Sequence, residues 1–168
     1  MPGSIVRYVR FVEGLNYRVG RFAMYLLFAL MAVLLYSSIS KTFFTPALWT
    51  LEMAQFVMVA YFFLGGPYSM QMGSSVRMDL LYGSWSPRTR AAVDAITVFF
   101  LLFYLGDLLW GGIESLIYAV NFGERSNSPW RPYMWPVKSV MCLAVVLMIL
   151  QASAEFFKDI ARARGREL

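Results

Sequence analysis

The chain has 168 residues, of which 59% are hydrophobic, 17% aromatic and only 15% charged. A mean hydropathy of +0.56 and several long apolar runs exclude an ordinary soluble domain and predict an integral membrane protein. The net charge of +5 does not indicate nucleic-acid binding, because the basic residues are divided among short segments beside the apolar runs. Histidine is absent and Cys142 is the only cysteine, which excludes bis-histidine haem and a Cys-x-x-Cys redox pair.

The leader, residues 4–21, is too polar to cross a membrane but has an amphipathic helical pattern. Val9 and Val12 belong to an apolar arc of this helix. The opposite arc carries four arginines: Arg7, Arg10, Arg18 and Arg21. We expect a helix in the membrane interface, with its apolar face in the bilayer and its arginines among lipid headgroups. The alternative is a frayed leader with little structure.

Apolar segments after the leader predict four membrane spans. These spans cover residues 22–40, 47–70, 90–120 and 137–156. Pro67, which follows two glycines, is expected to bend or end the second helix. The whole chain, 1–168, is therefore predicted to be one all-α integral membrane domain. It would have four transmembrane helices and an N-terminal amphipathic interfacial helix.

The positions of lysine and arginine predict the orientation. Basic residues are concentrated in the leader, the loop between the second and third spans, and the tail. The other side has only four: Lys41, Arg125, Arg131 and Lys138. The excess of positive charge on cytoplasmic segments predicts that both termini and the middle loop are cytoplasmic.

Asp107 and Glu114 are the acidic residues inside the third span. They are seven residues apart, so they share nearly one helix face with Gly111 and Tyr118. An unpaired carboxylate near mid-membrane is costly, so the pair indicates either a proton or cation path or a polar contact between helices. We favour the contact, because the first and fourth spans have no titratable group at their centres.

Two short motifs mark the ends of the second span: Trp49-x-x-Glu52 and Arg77-x-Asp79. Ordinary interfacial anchoring explains each motif on its own. Taken together they also suggest contacts, with Glu52 meeting a partner. Arg77 and Asp79 would then pair with each other or fix the middle loop to a neighbouring chain.

Further motifs occur in a characteristic order along the chain. They are Asn16-x-x-x-Gly20, Trp49-x-x-Glu52, Leu64-Gly65, VRMDLL at 76–81 with Arg88-x-Arg90, and Ser126-x-Ser128 followed by Pro132 and Trp135-Pro136. In this order and spacing the chain resembles the small membrane subunit, DctQ-like, of tripartite ATP-independent periplasmic (TRAP) transporters. It departs from that family at Ser75, where many relatives carry histidine, so a shared role for that histidine does not transfer.

The resemblance implies two protein partners and a place in the bacterial inner membrane. One partner is a large multispan subunit that moves the solute by an elevator-type motion. The other is a periplasmic solute-binding protein that delivers an organic acid-type solute. A cation gradient, usually sodium, drives uptake without ATP, and sodium acts on the large subunit. The small subunit is implied to be a scaffold, not an enzyme, with no cofactor, metal or substrate site of its own.

Four groups of residues follow as expected contact sites. The large subunit would meet Glu52, Asp107, Gly111, Glu114 and Tyr118. The binding protein would dock on Lys41, Trp49, Arg125, Arg131 and Trp135. The cytoplasmic loop would use Arg77, Asp79, Arg88 and Arg90, and lipid headgroups would meet the four leader arginines. One alternative is a free-standing oligomeric transporter or channel lined by Asp107 and Glu114. Another is a membrane enzyme or redox subunit, which the absence of histidine and cysteine pairs disfavours.

Overall fold

Four helices make up nearly all of the protein that the structure, a computed structural model, describes. The described residues are 3–72 and 87–163. The helices are α1 (Gly3–Phe43), α2 (Thr50–Gln71), α3 (Pro87–Asn121) and α4 (Trp135–Ala163). Across those two ranges the only β-type pairing is an isolated bridge between Arg125 and Tyr133. The all-helical prediction is therefore confirmed for the described part of the chain.

Helix α1 joins the leader and the first predicted span without a break. It has 41 residues and is about 60 Å long, roughly twice the thickness of a bilayer core. Part of the apolar face of the leader is covered by protein, because Val9 and Val12 are buried against Ala154 and Phe157 of α4. Phe11, on the same predicted face, is 68% exposed. The structure differs here from the separate interfacial helix that the sequence suggested, since α4 covers the part of the face around Val9 and Val12.

The helices lie side by side in the order α1, α2, α4, α3. Helix α1 packs along α2, α2 also packs on α4, and α3 packs chiefly on α4. The leader part of α1 contacts α4 as well. One apolar core joins α1, α2 and α4 around Ala23, Leu64 and Ala144, and a second lies around Leu105 and Val145 of α3 and α4. Helices α1 and α3 consequently form the margins of the domain.

Large apolar side chains cover the outer faces of the marginal helices. Phe28 on α1 is 66% exposed and Phe103 on α3 is 74% exposed. Within residues 3–72 and 87–163, three helical segments are long and apolar enough to cross a membrane: Ile5–Phe43, Ile96–Asn121 and Trp135–Lys158. These faces need a hydrocarbon solvent, so the membrane character of the protein is confirmed.

Helix α2 also has the length of a membrane span. Its 22 residues extend about 33 Å, enough to cross a bilayer core of about 30 Å. Polar residues near its ends, Glu52 and Gln71 among them, lower its hydropathy, and it is not one of the three segments above. Pro67 does not end α2, which continues to Gln71. A four-span membrane topology therefore remains a prediction.

Candidate functional site

The loop before α2 and the loop before α4 meet at one end of the domain. Ser126 Oγ donates a hydrogen bond of 2.9 Å to Glu52 Oε1 across 74 residues of sequence. Glu52 is only 8% exposed, and its second oxygen, Oε2, is buried without a hydrogen-bond partner in the described chain. Glu52 thus lies inside this end of the domain, apart from the α3 face with which the sequence grouped it. It holds the loop between α3 and α4 on the start of α2.

Backbone geometry makes the connection from α3 to α4 compact. Gly123 has φ of 60°, and the Glu124 amide then donates to the Ala119 carbonyl at 3.0 Å. Glycine takes this left-handed conformation at helix ends without steric cost. Lys138 at the start of α4 forms an ion pair with Glu124. The two helices are therefore tied together at the base of the loop.

The rest of this connection, residues 124–134, forms a small hairpin. The Ser126 amide donates to the Pro132 carbonyl at 3.0 Å, and the Arg131 amide donates to the Ser128 carbonyl at 3.2 Å. Arg131 has φ of 50°, a left-handed conformation that is uncommon for a side-chain-bearing residue. Arg131 consequently lies at the tip of a hydrogen-bonded turn that also carries the exposed side chain of Trp130.

All five residues predicted to form a docking surface are exposed at this end. They are Lys41, Trp49, Arg125, Arg131 and Trp135. The ion pairs within the described ranges involve none of the three basic residues in this group. The surface therefore offers positive charge and aromatic area to whatever approaches it.

The basic and aromatic side chains of this surface differ in how firmly they are held. The Arg125 guanidinium lies 4.2 Å from the centre of the Tyr133 ring and also donates to its hydroxyl. Trp49 packs on Tyr36, with ring centres 5.7 Å apart. Arg131 has no such contact within the described residues and extends from the hairpin tip. Arg125 and Trp49 are accordingly held in place for contact, and Arg131 is free to adapt.

The polar stripe predicted on α3 lies on its outer face. Asp107, Gly111, Glu114 and Tyr118 are all exposed. Glu114 Oε1 accepts a 3.0 Å hydrogen bond from Trp110 Nε1. Asp107 has no hydrogen bond or ion pair to any side chain that the structure describes. The stripe is thus assembled as the periodicity predicted, with one carboxylate satisfied locally and the other open to a partner.

A groove of about 350 Å³ runs beside the stripe, between α3 and α4. Asp107, Gly111 and Ser115 line its α3 side, and Lys138 and Cys142 line the other. Its walls are mainly apolar, so the groove can bind an apolar side chain of a partner next to the Asp107 carboxylate.

Three glycines of α3, Gly106, Gly111 and Gly112, differ in how closely they approach other atoms. A Cβ atom added to Gly112 would lie 3.2 Å from Cys142 Sγ, so this glycine does allow close packing. Atoms added to Gly106 and Gly111 would meet nothing within 4 Å. Gly111 therefore leaves the outer face of α3 flat beside the stripe, where a partner helix can approach, whereas Gly106 lies about 140° away around the helix.

Sequence reasoning missed a polar network that joins the leader to the end of α4. Asn16 Nδ2 donates to Gln151 Oε1 at 2.7 Å, and Gln151 Nε2 donates to Glu155 Oε1 at 3.1 Å. Lys158 then bridges Glu155 at 2.7 Å and Glu13 at 2.8 Å. Asn16 and Gln151 are fully buried. A usable signal existed, since Asn16 interrupts the apolar arc of the leader.

The remaining predicted residues divide into two groups. The leader arginines Arg7, Arg10, Arg18 and Arg21 are all exposed, away from the α4 contact. In the middle loop, Arg77 and Asp79 lie outside the described residues. Arg88 and Arg90 belong to the first turn of α3, where the structure describes only the backbone. The contacts expected of this loop stay predictions.

Comparison with known proteins gives one match. The family model for the DctQ component of tripartite ATP-independent periplasmic transporters matches residues 6–162, nearly the whole chain. No curated protein and no solved structure matches the chain.

Proposed function

The chain belongs to the DctQ component family of tripartite ATP-independent periplasmic transporters, and we propose that it is the fixed scaffold of such a transporter. The family match over residues 6–162 carries this proposal. The protein would cross the bacterial inner membrane four times, with both termini in the cytoplasm. It would brace a large elevator-type subunit and help a periplasmic solute-binding protein to dock. The complex would take up an organic acid-type solute with a cation gradient, usually sodium, which acts on the large subunit.

The outer face of α3 is our proposed contact with the large subunit. Asp107, Gly111, Glu114 and Tyr118 are exposed in a span whose other outward residues are mostly apolar. A carboxylate at the centre of a span costs about 2.5–3.5 kcal/mol on insertion scales, so a donor from a partner would stabilise it. The flat surface at Gly111 and the groove beside it allow a neighbouring helix to come close.

Replacing Asp107 tests this contact. We expect Asp107→Leu to weaken association with the large subunit roughly five- to a hundredfold, because a buried hydrogen bond to a charged group would leave its donor unpaired. Asp107→Asn keeps hydrogen-bonding atoms, so its affinity for the large subunit should fall less than that of Asp107→Leu. Gly106→Leu is the matched control, since it adds the same side chain at the neighbouring exposed position. Intact, active complexes of Asp107→Leu would contradict the assignment.

The end that carries Lys41, Trp49 and the 124–134 hairpin is our proposed docking surface for the binding protein. Its free positive charges favour an acidic partner and would raise the rate of association. Glu52, which lies inside this end of the domain, stabilises the surface by accepting the hydrogen bond from Ser126. Glu52 would thereby position the hairpin, and the contact predicted between Glu52 and the large subunit stays a prediction.

A double substitution, Lys41→Ala with Arg131→Ala, tests the docking surface. We expect slower binding of the purified binding protein to reconstituted complexes, with a weaker dependence on salt, because rim charges act mainly on the association rate. Arg10→Ala removes an exposed charge at the opposite end and serves as the control. Unchanged docking and uptake in the double variant would remove these residues from the docking surface.

A further inference from the structure

A second groove, of about 470 Å³, lies between α1 and α2 near the leader. Gly20 and Met24 line it from α1, and Phe62, Gly65 and Tyr68 line it from α2. A Cβ atom added to Gly65 would meet nothing within 4 Å, so this glycine opens the groove. The volume lies in the range of roughly 300–1,000 Å³ typical of ligand pockets.

The α2 wall of the groove is about as long as the hydrocarbon part of one membrane leaflet is thick. Its α2 wall extends from Tyr61 to Met72, which is about 16 Å along a helix. Half of a bilayer core is about 15 Å. Phe62 is 60% exposed beside it and Gly20 is buried at its base. The lining is mainly apolar, with Ser69, Tyr61 and Tyr68 as its polar residues.

An arginine is held near the end of the groove that faces the leader. The Arg21 guanidinium lies 5.8 Å from the centre of the Tyr17 ring. The Tyr17 ring lies 6.0 Å from that of Tyr68, which lines the groove. The groove therefore has a positive charge at the end near the leader. Aromatic side chains and glycines line the groove beyond that charge.

We propose that this groove seats one anionic phospholipid, whose acyl chain lies between Gly20 and Gly65 and whose phosphate pairs with Arg21. The length of the α2 wall, the mainly apolar lining and the charge at one end match that molecule, and basic sites between helices at the cytoplasmic surface bind such headgroups. The inference rests on the proposed orientation, which puts the leader on the cytoplasmic side. It goes beyond a general attraction of the leader for the membrane, because it separates Arg21 from Arg7 and Arg10.

Filling the groove is the sharpest test. The full chain is purified in mild detergent, mixed with phosphatidylglycerol or phosphatidylcholine, and measured by native mass spectrometry for retained lipid. The wild type should retain one phosphatidylglycerol, and Gly65→Leu should lose it, because the added side chain begins in open space, where a Cβ atom meets nothing within 4 Å, and fills the groove. Gly106→Leu adds the same side chain to an equally open glycine on α3 and should retain the lipid.

A charge substitution tests the headgroup contact. Arg21→Gln should reduce phosphatidylglycerol retention about fivefold, the factor expected for one basic residue at a membrane surface. Arg10→Gln, on the same helix but away from the groove, should change it little. Equal retention of both lipids, or unchanged retention in Gly65→Leu, would overturn the proposal. A cross-link from position 65 to a helix of the large subunit would also overturn the proposal, because protein would then occupy the groove.

The outcome is separable from that of the proposed function. Co-purification of a large subunit reports on the scaffold role, whereas lipid retention is measured on the chain itself. An intact complex whose small subunit retains no lipid at this groove would therefore refute the lipid site alone.

Discussion

One added methyl group at Gly20 should disrupt the packing of α1 on α2. A Cβ atom built there would lie 2.4 Å from Cγ of Tyr68 and 2.5 Å from its Cβ. Carbon atoms in contact are normally about 3.5–4.0 Å apart, so the base of the tyrosine side chain would have to retreat by about 1 Å. Overpacking of this kind typically costs about 1–3 kcal/mol.

Gly14→Ala is the matched control for Gly20→Ala. Both glycines lie within α1, and alanine gains up to about 1 kcal/mol over glycine in a helix interior. At Gly14 the new methyl group meets nothing within 4 Å. Because the gain in helix propensity is common to both variants, the difference between them measures the clash alone, about 1–3 kcal/mol.

Thermal unfolding of the purified chain in mild detergent reads out this difference. For a chain of this size about 1 kcal/mol shifts the midpoint by about 2–4 °C, so Gly20→Ala should unfold about 2–12 °C below Gly14→Ala. Equal midpoints would refute the close approach of α1 to Tyr68. They would also put in doubt the continuous, docked helix α1, and favour a leader that lies separately on the membrane.

Two further predictions concern buried polar contacts. Ser126→Ala leaves the Glu52 carboxylate buried without a partner, which costs about 1–3 kcal/mol. We therefore expect faster amide hydrogen exchange across residues 124–134. Unchanged exchange would contradict the anchoring role of Ser126. Asn16→Leu and Gln151→Leu should each destabilise the chain by about 1–3 kcal/mol, because each leaves a buried polar atom of the other side chain, Gln151 Oε1 or Asn16 Nδ2, without its hydrogen bond. The double variant should cost less than the two together, by about 0.5 kcal/mol or more in a double-mutant cycle of unfolding; additive costs would show that the pair is not coupled.

Features that depend on nearby residues were predictable from the sequence. Long apolar runs require a hydrocarbon solvent and internally bonded backbone, so the helical membrane class follows from composition alone. Helical periodicity likewise placed Asp107 and Glu114 on one face of α3, and both are exposed there. The same periodicity predicted that the leader arginines lie opposite its apolar face, and all four are exposed.

Features that depend on distant partners were not predictable. A helical wheel shows that Val9 and Val12 form an apolar face, but not whether lipid or α4 covers it. Asn16 and Gln151 are separated by 135 residues and Glu52 and Ser126 by 74, so only the packed helices reveal these contacts. A sequence pattern also cannot tell which glycine meets a neighbour.

The most direct test of the scaffold role is purification from the native host through a tag on this chain. The membrane is extracted in mild detergent, and the co-eluting proteins are identified and quantified by mass spectrometry. A large multispan membrane protein in stoichiometric amount is the expected result. A chain that elutes alone as a homo-oligomer would contradict the scaffold role and make Asp107 and Glu114 candidates for lining a pore.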